Sequence, residues 1–151
     1  MAEPIHFSIQ VNAPKERVYD VMLTKDTYEQ WAATFQSGST FNGKWEEGSE
    51  ISFVDSSGSG MFGRIIESEP GKRVVIEYDG VVGGGERDSA SKEAQQWIGA
   101  REIYDFDEQE GITTVKVALE GDQIEPEMAA MLSDAWPKAL EKLKEIAEQR
   151  V

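Results

Sequence analysis

The chain has 151 residues, with 15 Lys and Arg against 29 Asp and Glu, a formal net charge of −14. That length predicts one domain, able to bury roughly 68–70% of its unfolded surface without a covalent staple. Having no cysteine excludes disulfides, a thiolate nucleophile and Cys-based zinc or iron–sulfur sites, and a lone histidine, His6, excludes a metal site with two His ligands.

The charge argues against nucleic acid or an anionic membrane surface as partner, because phosphate contacts need clustered Lys and Arg. No apolar run reaches the roughly 18 residues that a membrane span needs. Met1-Ala2-Glu3-Pro4-Ile5-His6 has neither a basic nor an apolar region of the secretory type. The expected location is the cytoplasm.

Ile5, Phe7, Ile9 and Val11 alternate with His6, Ser8 and Gln10, which predicts a half-buried strand over 5–11. Pro14 then suits the first turn of a helix, with Val18, Val21 and Met22 at helical spacing. Asp26 with Glu29 suggests a second N-terminal cap, leading to Tyr28 and Trp31 on a short helix.

From residue 38 the pattern is strands and turns. Asn42-Gly43 predicts a tight turn, since both residues tolerate positive φ. Ile51 and Phe53 alternate with polar neighbours. Met61–Ser68 and Arg73–Asp79 read as strands joined at Glu69-Pro70-Gly71-Lys72, and Trp97–Phe106 with Ile112–Leu119 as a pair around Glu110-Gly111. Residues 80–96, with Gly83-Gly84-Gly85 near one end, break the pattern. They are either a mobile lid or a surface insertion, with a helical turn at Ala90–Gln96.

Residues 125–150 form one helical pattern opened by Pro126. Its stripe runs through Met128, Met131, Leu132, Ala135, Trp136, Ala139, Leu140, Leu143, Ile146 and Ala147. Pro137 lies inside it and is expected to bend the helix without ending it. A long amphipathic helix has to bury that stripe on a sheet, so the fold class is α+β.

Gly58-Ser59-Gly60-Met61-Phe62-Gly63 fits a dinucleotide fingerprint in letters only. A strand follows it where that site needs a helix, so it reads as a hairpin turn. His6 falls on the polar face, and no Gly-x-Ser-x-Gly frames a serine nucleophile. Glu102 shares strand parity with Tyr104 and Phe106, which points it inward. Burying a lone carboxylate is costly unless it is paired or protonated. It is therefore a polar anchor or general acid in a pocket, or a strand-end residue turned to solvent or to a basic neighbour. Met61, Met128 and Met131 also fall on inward faces, which suits either a packed core or an adaptable pocket.

The ordered motifs resemble a known family. Val11-Asn12-Ala13-Pro14-Lys15-Glu16-Arg17-Val18-Tyr19 resembles the opening of START-like (SRPBCC superfamily) domains, and Trp31 matches the tryptophan ending their second short helix. Gly63-Arg64-Ile65-Ile66-Glu67-Ser68-Glu69-Pro70-Gly71-Lys72-Arg73-Val74 is similar to their Gly-x-Val…Glu-x-x-Pro strand pair. Ala135-Trp136-Pro137-Lys138-Ala139-Leu140-Glu141-Lys142-Leu143-Lys144 is similar to a Gly-Trp-Pro-x-x-Leu-x-x-Leu-Lys helix, with Ala135 in place of Gly. That helix marks the branch resembling the C-terminal domain of the activator of the ninety-kilodalton heat-shock protein's ATPase.

The resemblance implies a helix-grip fold. A curved antiparallel β-sheet wraps around a long C-terminal α-helix, two short helices follow strand 1, and a cavity lies between sheet and helix. It also implies a small hydrophobic or amphipathic ligand (lipid, sterol, aromatic or polyketide-like). No cofactor or metal is expected. Wall residues expected on this basis are Trp31, Phe35, Phe53, Met61, Ile65 and Ile76 from the first half of the chain. The second half supplies Trp97, Met128, Leu132 and Trp136, with Glu102 and Tyr104 as polar contacts. Two other functions stay open. One is a cyclase- or dehydratase-type enzyme using Glu102 or Tyr104 as acid or base, and the other is a chaperone-associated interaction domain.

Overall fold

The computed structural model describes residues 4–35, 38–121 and 124–149. Alternation makes Ile5–Val11 strand β1, with the odd-numbered side chains turned inward and His6 exposed. Helix α1 (Lys15–Leu23) follows, with Pro14 at its N-cap, one position earlier than the first-turn site. It buries Val18, Val21, Met22 and Leu23. Helix α2 (Lys25–Ala32) begins at once, because Thr24 ends α1 and starts α2. Asp26 is therefore a first-turn residue rather than a cap, placed where the helix dipole favours an anion.

The remaining strands are β2 (Thr40–Gly43), β3 (Glu50–Val54), β4 (Gly60–Glu69), β5 (Arg73–Gly83), β6 (Glu86–Asp88), β7 (Arg101–Gln109) and β8 (Ile112–Glu120). Their order in the sheet is β1-β8-β7-β5-β4-β3-β2, with β6 added on β5. Every pairing is antiparallel. Register shifts between Phe62 and Gly63 and between Ile65 and Glu67 interrupt the β4–β5 pairing. Such irregularities bend and twist a strand, which lets the sheet curve.

Three further local expectations are corrected. Asn42-Gly43 is not a turn. Both residues finish β2, and Gly43 pairs with Ile51 at φ +122°. A Cβ there would lie 2.3 Å from the Glu50 carbonyl oxygen, so the glycine serves a close backbone approach, and the connection falls at 44–49. The turn at Glu110-Gly111 does form, with φ of 54° and 81°.

The second correction concerns residues 80–96. β5 runs on to Gly83, turns, and pairs with β6, so a hairpin replaces the open loop. Helix α3 (Lys92–Gln95) follows, and the Ser91 side chain caps it by accepting from the Ala94 N–H at 3.1 Å. Asp88 takes the N–H groups of Ala90 and Ser91 at 2.9 and 3.1 Å. Ala94 and Trp97 are buried and dock the segment without apolar periodicity. Third, β7 starts at Arg101, and Trp97 lies in the turn after α3.

Helix α4 (Pro126–Gln149) runs unbroken through Pro137. Arg150, the last residue of the expected helix, lies outside the described residues. The helix buries Leu132, Trp136, Ala139, Leu140, Leu143, Ile146 and Ala147 against β1, α1 and α2. Each large apolar side chain so buried stabilises the fold by about 1.5–3 kcal/mol. Met131 is 54% exposed, because it sits on the flank of the stripe rather than its centre. On the outer face of the sheet, register pairs carry charge pairs, Arg73 with Asp105 at 2.8 Å and Arg101 with Glu77 at 3.1 Å.

Candidate functional site

The N-terminal half of α4 stands off from β3, β5 and β7 and leaves a cavity of about 830 Å³. Helix α2 contributes Tyr28 and Trp31, and Phe35 follows just beyond it. The Trp31 indole N–H donates to the Met22 carbonyl at 3.2 Å, which fixes that ring. From α4, Trp136 lies at the meeting point of the rings. Its centroid is 5.0 Å from Phe35, 5.9 Å from Trp31 and 6.0 Å from Tyr104. Phe7 of β1 also packs on it, at 6.1 Å and only 24° between planes. Aromatic rings at such separations attract one another beyond the area they bury.

Most of the expected wall residues come together here. Trp31, Phe35, Phe53, Met61 and Trp97 line the cavity, as do Glu102, Tyr104, Met128, Leu132 and Trp136. Ile65 and Ile76 do not. Both are fully buried and belong to the packed core, where neighbouring side chains leave them no surface toward open space. Met131 lines the cavity from its exposed position. Sequence reasoning missed Tyr28 and Tyr78, and also the β5–β6 hairpin with Asp88 and the following α3 with Glu93, which close one side. Tyr78 had a signal, since it shares strand parity with Ile76.

Glu102 is inward and 9% exposed. The Tyr104 hydroxyl donates to it in a short hydrogen bond, and Tyr78 bonds to it from the neighbouring strand. Burial raises its pKa to about 7, outweighing the lowering by the Tyr104 and Tyr78 hydroxyls. No lysine or arginine among the described residues contributes to that shift, so neither the solvent-facing nor the basic-neighbour reading of Glu102 holds. Burial likewise raises Tyr28, Tyr78 and Tyr104, with Glu102 adding to each. The tyrosines stay protonated, Tyr78 and Tyr104 acting as donors, while the carboxyl changes charge near neutrality.

Among the described residues no group of three or more His, Asp and Glu is placed to hold a metal ion, and no helix is long and apolar enough to cross a membrane. The β3–β4 turn runs over 55–58 and is closed by the Gly58 N–H donating to the Asp55 carbonyl at 3.0 Å, so that glycine motif starts at the end of a hairpin turn and runs into β4, with no helix after it.

A curved antiparallel sheet gripping one long C-terminal helix, with a cavity between them, defines a START-like domain of the helix-grip type. The chain belongs to the family described as Activator of Hsp90 ATPase homolog 1-like protein, whose model matches residues 12–148. Among solved structures it is similar to the Aha1 dimer from Colwellia psychrerythraea, at 20% identity and a TM-score of 0.75 over 98% of both chains. It is similar in fold to MLL2253 from Mesorhizobium loti, at 13% identity and a TM-score of 0.75 over 99% of both. CalU16 from Micromonospora echinospora gives 17% identity and a TM-score of 0.65 over 97% of this chain and 76% of that one. No curated protein matches the sequence.

Proposed function

We propose that this chain is a small-molecule binding module that holds a hydrophobic or amphipathic ligand between the sheet and α4. The observation that carries this reading is the cavity of about 830 Å³, aromatic-walled with one buried carboxyl. Ligand sites of roughly 300–1,000 Å³ are mostly apolar with a few placed polar groups. Native mass spectrometry of freshly purified protein tests it. A co-purified small molecule that departs on denaturation is the expected result. A second arm follows tryptophan emission, since Trp31, Trp97 and Trp136 all border the cavity. Unchanged emission across sterols, long-chain amphiphiles and aromatic polyketides, with no co-purified molecule, overturns the reading.

A second reading is an enzyme of cyclase or dehydratase type in the same cavity. The carboxyl of Glu102, raised to about 7, favours it, because a general acid works best with a pKa near the operating pH. Turnover that vanishes in Glu102→Gln while the fold persists would support it. The family description also brings in an Hsp90-type chaperone as partner. Stimulation of that chaperone's ATPase by the purified chain is the corresponding test.

A further inference from the structure

The cavity is acidic as well as aromatic. Glu102 lies in its interior, and Asp55, Glu86, Asp88 and Glu93 also line it. Against these acids the lining contains, among the described residues, one cation, Arg87. Arg87 is itself engaged, 3.5 Å from Glu50 and with its guanidinium 4.9 Å from the Phe62 ring centre. The chain as a whole carries −14. A carboxylate-headed ligand would meet mostly like charge on entry, with Arg87 already paired to Glu50. A neutral ligand would leave Glu102 to be protonated or to remain a buried, uncompensated charge.

We propose that the ligand is an organic cation, an amphiphile whose ammonium head sits beside Glu102 among the rings of Trp31, Phe35, Tyr104 and Trp136, with its apolar body against Met128 and Leu132. This rests on the cavity being a ligand site. Aromatic rings attract ammonium groups, most strongly where water is excluded. Tyr104 joins the carboxyl to the ring cluster, since its hydroxyl donates to Glu102 while its ring lies 6.0 Å from that of Trp136, which packs on Trp31 and Phe35. The hydroxyls of Tyr78 and Tyr104 satisfy the lone pairs of Glu102 but bring no positive charge, and the ligand's head supplies it. The titratable groups facing Glu102 are Tyr104 of β7, Tyr78 of β5 and Tyr28 of α2, while α4 presents Met128, Leu132 and Trp136. Binding of a cation holds Glu102 ionised, so at acid pH the complex forms with release of a proton to solvent.

The test is calorimetric titration of the full chain with decylammonium, decanol and decanoate, which share one tail and differ in head charge. Decylammonium should bind at least about tenfold more tightly than decanol, and decanoate most weakly. In Glu102→Gln the ammonium should fall to the level of the alcohol. On the unmodified protein, the advantage of ammonium over alcohol should shrink by up to about tenfold per pH unit below about 7, a second readout that needs no variant. Decanol binding as well as decylammonium, or an ammonium preference that survives in Glu102→Gln or is unmoved by pH, overturns the cation assignment and leaves the cavity as a neutral-ligand site. Binding by none of the probes overturns this inference, and when the sterol and polyketide panel is silent as well, the binding-module reading falls with it.

Discussion

The Tyr104 hydroxyl donates to the Glu102 carboxylate from two residues further along β7, so one strand supplies both the buried acid and a group that satisfies it. The pair is a consequence of alternation, since residues two apart share a face. Its electrostatics depend on α4 and α2 sealing that face from water.

Tyr104→Phe removes the hydroxyl that lowers the Glu102 pKa while keeping the ring. Burial is then opposed by Tyr78 alone, so the pKa should move up from about 7. Carbon-detected NMR titration of the Glu102 side chain reads the shift directly. A downward shift would mean that Tyr104 is not the donor.

Glu102→Gln should alter the pH dependence of stability. The folded pKa of about 7 lies above the ordinary 4.5, so the folded state holds its proton more tightly than the unfolded one. The stability linked to that proton is complete below about 4.5 and is lost as pH rises through about 7. Across that window the wild type should lose roughly 3 kcal/mol relative to Glu102→Gln. Urea unfolding of both proteins at acid and alkaline pH measures the difference. Parallel curves would remove Glu102 from the interior.

Trp136→Ala should cost about 3 kcal/mol, the low end of the roughly 3–5 kcal/mol for a large aromatic in a packed core. The ring is only 3% exposed and packs on Phe7, Trp31, Phe35 and Tyr104. It also borders open space, where contacts are already missing. Urea midpoints give the value, and a loss below about 0.5 kcal/mol would be that of a surface residue.

Pro137→Ala should stabilise the protein by about 1–3 kcal/mol. Pro137 is exposed inside a continuous helix, so it packs little while withholding a hydrogen bond from the Ser133 carbonyl. The gain stays below the full helix-interior penalty of about 3 kcal/mol because proline also restricts the unfolded chain. Chemical denaturation checks it, and a destabilised variant would assign Pro137 a packing or shaping role.

Periodicity by itself determined a great deal. The alternation of Ile5 to Val11, the helical stripe from Leu132 to Ala147 and the parity of Glu102 with Tyr104 all survive in the fold, because burial follows the repeat of the element. Alternation selects a face, however, and says nothing about where along the sheet the helix lifts away. Ile65 and Ile76 share the inward face with Phe53 and Tyr104 yet lie where packing is complete, while Tyr78 lies where it is not. The length of β5 was equally hidden. Gly80 and Gly83 read as breakers, and pairing with β4 on one side and β6 on the other, with the docking of Ala94 and Trp97, holds that segment in place. The charge state of Glu102 lies furthest from the sequence. It depends on burial together with three tyrosines from β5, β7 and α2 converging on the carboxyl, with no lysine or arginine among the described residues shifting it, which only the tertiary structure decides.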